Sequence, residues 1–384
     1  MKWESLQLAD LFEVARGGSP RPIQKFITDS PDGLNWIMIG DATSGSKYIA
    51  STKKRIKPEG LAKTRMVQEG DFLLTNSMSF GRPFILKTSG CIHDGWLVLS
   101  PKSDSVFPDF FYYLLGSETL YREFTKRAAG AVVKNLNTSL VKQVRVPFPP
   151  LDEQKRIAAI LDAADALRAK RRETLAQLDT LLQSTFLEMF GDPVINPKGW
   201  NVGTLERLGR VVTGSTPPSK EPNMFDGDIP FITPGDLKDS WVESARTVTE
   251  AGASKSRTVE GGASLICCIG ATIGKMGKAA ARSAFNQQIN AVTWGPLIDP
   301  DFGFEMMRFF KAKIANDGAS TTLPILKKSL FEKIEVPAPP IKLQHRFATI
   351  VQSVEQQKSR LRTHLDELDT LFASLQARAF AGEL

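Results

Sequence analysis

The sequence predicts an α+β chain in which two mixed α/β domains alternate with two long helices. Three observations predict it. The two halves of the chain repeat one another in the same order. Each half closes on a short β-branched run and a Pro-Pro stop. A heptad pattern follows each stop.

The repeat begins at the amino-terminal side. Trp3, Leu8, Leu11 and Val14 line up with Trp200, Leu205, Leu208 and Val211 at a shift of 197 residues. Gly17-Gly18-Ser19-Pro20 falls on Gly214-Ser215-Thr216-Pro217, and Gly40-Asp41 answers Gly235-Asp236. Pro108-Asp109-Phe110 answers Pro300-Asp301-Phe302 at a shift of 192, and Val144 to Pro150 answers Ile334 to Pro340 at 190. Leu178-Asp179-Thr180-Leu181 recurs as Leu368-Asp369-Thr370-Leu371, again at 190. Matches in constant order with a slowly drifting shift mean duplication with small loop changes.

The first domain is expected over residues 1–150. Asp71 to Thr75 and Trp96 to Leu99 read as strands, and Phe110 to Phe124 reads as a helix. The first long helix is expected over 151–192. Ile157, Ala164, Arg171, Leu178 and Thr185 take one seam position, and Ile160, Leu167, Thr174, Leu181 and Glu188 the other. Leu161, Leu175 and Leu182 widen the stripe. At 1.5 Å per residue the 39 residues of this helix from Asp152 to Phe190 run about 58 Å. That is too long to bury its stripe against one globule, so it needs a partner helix.

Gly191 to Gly199, with Pro193 and Pro197, reads as a linker, because glycine caps a helix and proline prevents its continuation. The second domain is expected over 193–340, with Ser264 to Cys268 as a strand and Phe302 to Ala315 as a helix. The second long helix is expected over 341–384. Its seam is Phe347, Val354, Leu361, Leu368 and Leu375 with Ile350, Gln357, His364, Leu371 and Arg378, flanked by Val351, Leu365 and Phe372.

Composition bounds the function. The chain has 384 residues, 49 basic and 42 acidic, for a net charge of +7. Residues 1–150 hold 20 basic and 14 acidic side chains, and the remaining segments are near neutral. A polyanion partner fits this balance, chiefly in the first domain. The three cysteines, Cys91, Cys267 and Cys268, are odd in number and lack knuckle spacing, which points to a reducing cytoplasm. The amino terminus opens no signal peptide, and no apolar run is long enough for a membrane span.

Several chemistries find no support. Gly270 to Met276 has a P-loop look, but its spacing is one residue short and no Ser or Thr follows Lys275. Asn137-Thr138-Ser139 is a sequon without secretory context. His93, His345 and His364 are scattered and form no metal set. No glycine-rich S-adenosylmethionine loop and no Asn-Pro-Pro-Tyr motif is present. A nuclease would need clustered acids, and the repeated Asp41 and Asp236 each stand alone.

The residues that could touch nucleic acid are basic, glycine-rich or amide-bearing. Lys47, Lys53, Lys54, Arg55, Lys57, Lys63 and Arg65 lie within 19 residues holding one acid, Glu59, and suit phosphate contacts. Gly18, Ser19 and Arg21, with Ser215 and Thr216, belong to turns that let backbone approach DNA or serve as plain structural turns. Asn286, Gln287 and Gln288 have the chemistry for adenine, although buried amides would look the same. Arg82 and Lys275 occupy corresponding Gly-basic segments, and Lys255 and Arg257 add charge to the second domain. Ile92 to Trp96 stands where the second domain has Phe285 to Ile289, so the two domains differ in their middles.

Pro149-Pro150-Leu151-Asp152-Glu153-Gln154, the stretch Arg171 to Asp192 and the terminal Phe380-Ala381-Gly382-Glu383-Leu384 resemble the specificity subunit of type I restriction–modification systems. Gly214-Ser215-Thr216-Pro217 and Ile273-Gly274-Lys275 are similar to that family's target-domain motifs. The resemblance spans essentially the whole chain. It implies two target recognition domains, each reading half of a split site in double-stranded DNA. It implies that the helices pair as an antiparallel coiled coil with pseudo-twofold symmetry and act as a spacer. It also implies docking of two adenine-N6 methyltransferase subunits and of restriction (translocase) subunits. S-adenosylmethionine, ATP and Mg are then expected on those partners, and the chain itself is non-catalytic. Leu151, Glu153, Gln154 and Arg156, with Gln344 and Arg346, are the docking positions implied. The second proline-rich start, Pro339-Pro340-Ile341-Lys342-Leu343-Gln344, lacks the counterpart of Glu153. A rival reading, an assembly protein whose coil is the active part, leaves the basic stretch 47–65 without a role.

Overall fold

A computed structural model describes residues 3–42, 45–76, 81–128, 136–318 and 324–384. The chain divides into two compact units. The first holds Met1–Glu173 with Arg362–Leu384, and the second holds Thr174–Leu361. Each unit therefore combines one globule with parts of both long helices.

The repeat in the sequence is a repeat in strand order. In the first unit a five-stranded sheet runs Phe12–Arg16, Trp96–Pro101, Phe72–Thr75, Pro83–Leu86, Tyr48–Ile49. In the second the order is Gly209–Thr213, Ile289–Trp294, Ser264–Cys267, Met276–Ala279, Trp241–Val242. Neighbours pair antiparallel in both sheets except the last, which is parallel in each. Each unit also has a second sheet. Its centre is a parallel pair, Leu34–Ile37 with Gly90–Ile92 in the first unit and Phe225–Ile232 with Ser283–Phe285 in the second.

The strands form where the hydrophobic runs lie. Phe72-Leu73-Leu74 and Leu265-Ile266-Cys267 are buried on both faces, which explains why they read as continuous apolar runs rather than alternating ones. The proline-rich segments Arg145–Phe148 and Glu335–Pro337 each pair with one strand, Glu4–Gln7 and Val202–Thr204. Two-stranded pairing leaves Pro147 and Pro337 on an edge, where a missing N–H is tolerated. The expected helices Phe110 to Phe124 and Phe302 to Ala315 are each broken in two. They form Pro108–Leu115 and Glu118–Ala128, then Pro300–Phe309 and Lys311–Asp317. Gly116 and Phe310 end the first member of each pair with hydrogen bonds back into its last turn.

Aromatic side chains dominate both cores. Phe12 packs edge-on against Phe72 and Phe111 at 5.6 and 5.2 Å between ring centroids. In the second unit Phe186 and Phe190 meet each other, and each meets Phe302 and Phe347, at 4.7 to 5.5 Å between centroids. Each ring buried this completely contributes about 2–3 kcal/mol of transfer free energy.

The long helices run Leu151–Phe190 and Ile341–Ala381. Within the first unit Arg168 bonds Asp369 at 2.6 Å, and Arg156 reaches the Leu384 carbonyl at 2.8 Å. Within the second, Lys358 bonds Asp179 at 2.9 Å, while Phe190 meets Phe347. In each unit, moving forward along one helix means moving backward along the other.

The heptad reading needs one correction. Ile157 and Ala164, with Phe347 and Val354, are buried as expected. The second seam position lies one residue later than expected. Leu161, Leu182 and Val351 are buried, whereas Leu167 and Leu181 are 55 % and 49 % exposed. The row 161, 168, 175, 182 carries three leucines, while the expected row carries Thr174 and Glu188. The apolar row wins the inward face.

The segment after the first helix is a packed cap. Gly191 takes φ of 77° and donates to the Leu187 carbonyl, and the Trp200 indole donates to the Phe190 carbonyl at 2.9 Å. Lys198 holds two further carbonyls of the last turn.

Candidate nucleic-acid interface

The glycine turn of the first unit leaves its strand at Arg16 and presses directly on the segment after Gly90–Ile92. The Gly17 amide donates to the Trp96 carbonyl at 3.0 Å and the Gly18 amide to Ile92 at 3.2 Å. A Cβ on Gly17 would lie 2.1 Å from the His93 carbonyl oxygen, so only glycine fits. Ser19 Oγ then donates to Asp94 Oδ1 at 2.9 Å. The Asp94 carbonyl takes Asn76 Nδ2 at 2.6 Å and Arg16 Nε at 3.1 Å. Burial opposes ionisation of the Asp94 carboxyl. The Ser19 hydroxyl, its own amide, His93 and Arg16 outweigh that and hold it below the usual carboxylate range.

His93 accepts the Gly95 amide proton at Nδ1, 2.9 Å away, which places the ring proton on Nε2. Burial lowers its pKa, against the opposing pull of Asp94 and Asp41. The imidazole is therefore neutral and offers a donor. Ser19, Arg21, Trp36, Met38, Lys54 and His93 help line a cavity of about 690 Å³ beside this turn.

The second unit repeats the two amide bonds and the hydroxyl bond of this turn. The Gly214 amide donates to Ile289 and the Ser215 amide to Phe285, both at 3.0 Å. A Cβ on Gly214 would meet the Asn286 carbonyl at 2.2 Å. Thr216 Oγ1 donates to Gln287 Oε1 at 2.7 Å. Asn286 and Gln288 bond each other through side chain and backbone at 3.1 Å. Gln287 is exposed and Asn286 half-buried.

The basic residues divide into three groups. Lys53, Lys54, Arg55 and Lys57 are exposed on and beside the strand Lys54–Ile56, and Lys54 faces the cavity next to Arg21. Lys255 and Arg257 are exposed on either side of Ser256, whose hydroxyl bonds the Ser215 carbonyl. Arg82 and Lys275 follow glycines with φ of 81° and 86°, and each closes an equivalent turn by accepting the amide of Thr75 or Cys267. Lys47 stands apart from all of these. Its ammonium bridges Asp109 at 2.6 Å and Asp162 at 2.7 Å, so its charge is already compensated inside the first unit. Asp41 and Asp236 are turn caps, each accepting the amide three residues earlier at 2.8 Å.

A family description, the type I restriction modification DNA specificity domain, matches residues 1–178 and again 197–368. The chain belongs to this family. It is 25 % identical over 408 residues to the type I restriction enzyme MjaIX specificity subunit of Methanocaldococcus jannaschii, covering all of this chain and 93 % of that protein. It is 23 % identical over 381 residues to the putative MjaX specificity subunit of the same organism, covering 92 % of this chain and 87 % of that protein. Its fold is similar to that of the S subunit of a type I restriction–modification system from M. genitalium, at a TM-score of 0.54 and 18 % identity over 99 % of this chain and 96 % of that one. A chain solved in a study of type I R-M complex assembly and conformational transition gives a TM-score of 0.60 at 18 % identity, over 100 % of this chain and 98 % of that one.

The family's docking positions, as the sequence suggested them, separate into two kinds. Gln154 and Gln344 are fully buried and face inward. Gln154 accepts the Phe107 amide and donates to the Ser105 and Pro149 carbonyls at 2.9 to 3.0 Å. Gln344 does the same for Asp299, Leu297 and Pro339 at 2.7 to 2.9 Å. These amides latch each globule to the start of its helix and are unavailable to a partner. Arg156 and Arg346 are exposed, with Arg156 forked onto Glu153 at 2.7 and 2.8 Å. Leu151 is half-buried.

Sequence reasoning missed Asp94. One acid among the 14 of residues 1–150 gives no signal until the turn hydroxyl is seen to meet it. Among the described residues no group of three or more His, Cys, Asp or Glu could hold a metal, and no helix is long and apolar enough to cross a membrane. The three cysteines are free and buried, and burial pushes Cys91 up to about 11 and Cys268 up to about 12.

Proposed function

We propose that this member of the specificity family supplies the DNA recognition of a type I restriction–modification complex, reading a split site with residues 1–150 on one half and 193–340 on the other. One observation carries the reading. The same glycine turn with the same clamping hydroxyl is built twice, while the side chains it presents differ. A duplicated frame with changed contents is what a reader of two different half-sites needs. Backbone-positioning charge comes from Lys53, Lys54, Arg55 and Lys57 in the first domain and from Lys255 and Arg257 in the second. Arg82 and Lys275 add one contact each.

The helices Leu151–Phe190 and Ile341–Ala381 pair as an antiparallel coiled coil that sets the spacing of the half-sites. Its outward leucines, Leu167, Leu181 and Leu371, together with Leu151, Glu153, Arg156 and Arg346, dock two adenine-N6 methyltransferase subunits. Catalysis and its cofactors belong to those subunits and to the restriction subunits, and the complex works on double-stranded DNA in the cytoplasm.

The test is co-purification with the cognate adenine methyltransferase, followed by mapping of N6-methyladenine in host DNA. A stable complex and a split asymmetric motif that vanishes on deletion of this chain support the reading. An unchanged methylome without complex formation overturns it.

A further inference from the structure

The two turns differ chemically at one equivalent position. Ser19 and Thr216 occupy the same place in the repeat, and each hydroxyl points its hydrogen at the side chain that follows the inner strand, Asp94 or Gln287. We propose that Asp94 and Gln287 are the base-reading positions of the two units, each aimed by the turn hydroxyl, with Asp94 taking a cytosine and Gln287 an adenine. The inference rests on the half-site reading above and names the residues that perform it.

The chemistry follows from what each hydroxyl leaves free. An ionised carboxylate has only acceptors. With Oδ1 held by Ser19, Asp94 presents its remaining lone pairs, and its side chain is 46 % exposed. Cytosine offers an N4 amino donor in the major groove, whereas adenine sets an N7 acceptor beside its N6 donor and so repels a second acceptor. Gln287 keeps one lone pair on Oε1 and both amide hydrogens after Thr216 has bonded. That set matches adenine N6 and N7 together.

Bringing a carboxylate to a polyanion needs compensating charge. Arg16 holds the Asp94 carbonyl, Arg21 stands 3.8 Å from its carboxylate, and Lys54 lines the same cavity. The second unit reads through a neutral amide and needs less. Its neighbours Lys255 and Arg257 are fewer than the basic residues around the first turn.

The test uses the full chain in complex with its cognate methyltransferase and a pool of duplexes randomised one base pair at a time. Asp94→Asn should lose ~10-fold of discrimination at one C·G pair in one half-site only. Gln287→Glu should lose ~10-fold at one A·T pair in the other half and move its preference toward C·G. Ser19 is a positioning residue, so Ser19→Ala should weaken the Asp94 pair while Ser19→Thr restores it. Wild-type complex without any preferred sequence would sink the half-site reading itself. A selective wild type whose variants keep every preference within about twofold, or lose all positions equally, overturns the assignment of Asp94 and Gln287 and leaves the half-site reading standing.

Discussion

Arg168 donates to Asp369 at 2.6 Å, and Lys358, 190 residues after Arg168, donates to Asp179, 190 residues before Asp369, at 2.9 Å. Each cation also bonds an acid three residues earlier on its own helix, Asp165 or Glu355. The same three-part ion cluster therefore occurs once in each unit. Lys358 is the more enclosed, with a side chain only 4 % exposed. Lys358→Met should cost about 2 kcal/mol, because it takes the cation away from Asp179 and Glu355, which have already lost part of their hydration. Lys358→Met with Asp179→Leu should recover at least half of that, since an apolar pair avoids the unpaired charge. Urea unfolding of the three proteins checks both statements.

The buried glutamines invite a different substitution. Gln154 satisfies one amide and two carbonyls that connect the first globule to its helix. Gln154→Leu leaves all three unpaired and should cost about 2–4 kcal/mol. Gln154→Glu keeps the shape but loses both donors and buries a carboxylate, so it should be at least as damaging. Gln344→Leu should behave alike in the second unit. Equal stability of Gln154→Leu and the parent, by denaturant melt, would contradict the latch.

Much of this is legible in the chain and some is not. The repeat, the helix positions and the proline-closed strands follow from patterns that depend on local sequence: periodicity, glycine and proline. The inward row of the long helices lies one residue from the expected one. Two adjacent rows both carry leucines, and only packing decides between the row of Ile160 and the row of Leu161. Gln154 and Gln344 are docking positions in the sequence reading only because the family resemblance implies it. Their partners lie about 50 residues away, at Ser105, Phe107, Leu297 and Asp299, and no local pattern connects them. Lys47 counts toward a basic stretch by proximity in sequence, but it precedes the strand Tyr48–Ile49 and bonds Asp109 and Asp162.

The charge on the first domain should show in the salt dependence of binding. Lys53, Lys54, Arg55 and Lys57 are exposed, and their contacts are to phosphate in the proposed reading. Replacing Lys53, Arg55 and Lys57 with alanine should lower the slope of log K against log salt by about 3. The loss should be uniform across sequences, leaving the ranking of sites intact. Fluorescence anisotropy at several salt concentrations, on cognate and unrelated duplexes, measures both. A changed ranking with an unchanged slope would make these residues base readers.

His93 gives the first half-site a pH dependence that the second lacks. Burial holds the imidazole below its usual range, so the folded chain binds the proton less readily than the unfolded one. The neutral form accepts the Gly95 amide proton, and protonation removes that acceptor. The stability is fully present above the ordinary imidazole value of about 6.5 and is lost as pH falls below it, and the turn geometry is lost only as the folded chain's own lower value is passed. Discrimination in the first half-site should decline below about pH 6.5 while the second stays level. His93→Gln should flatten the profile, and a parallel decline in both halves would assign the effect elsewhere.

The coil offers the most direct measurement of spacing. In the proposed antiparallel arrangement Arg168 sits opposite Asp369, so the heptad Arg171 to Gln177 faces Arg360 to Asp366. Removing both heptads together keeps the inward rows in register, because seven residues are two full turns of a coiled-coil helix. At 1.5 Å per residue the coil shortens by about 10 Å, or about three base pairs of B-DNA at 3.4 Å each. The doubly deleted chain should therefore methylate the same two half-sites with about three base pairs fewer between them. Deleting only one heptad leaves seven residues without partners and should destabilise the chain instead. Unchanged spacing in the double deletion, with the complex intact, would show that the half-sites are separated by something other than the length of this coil.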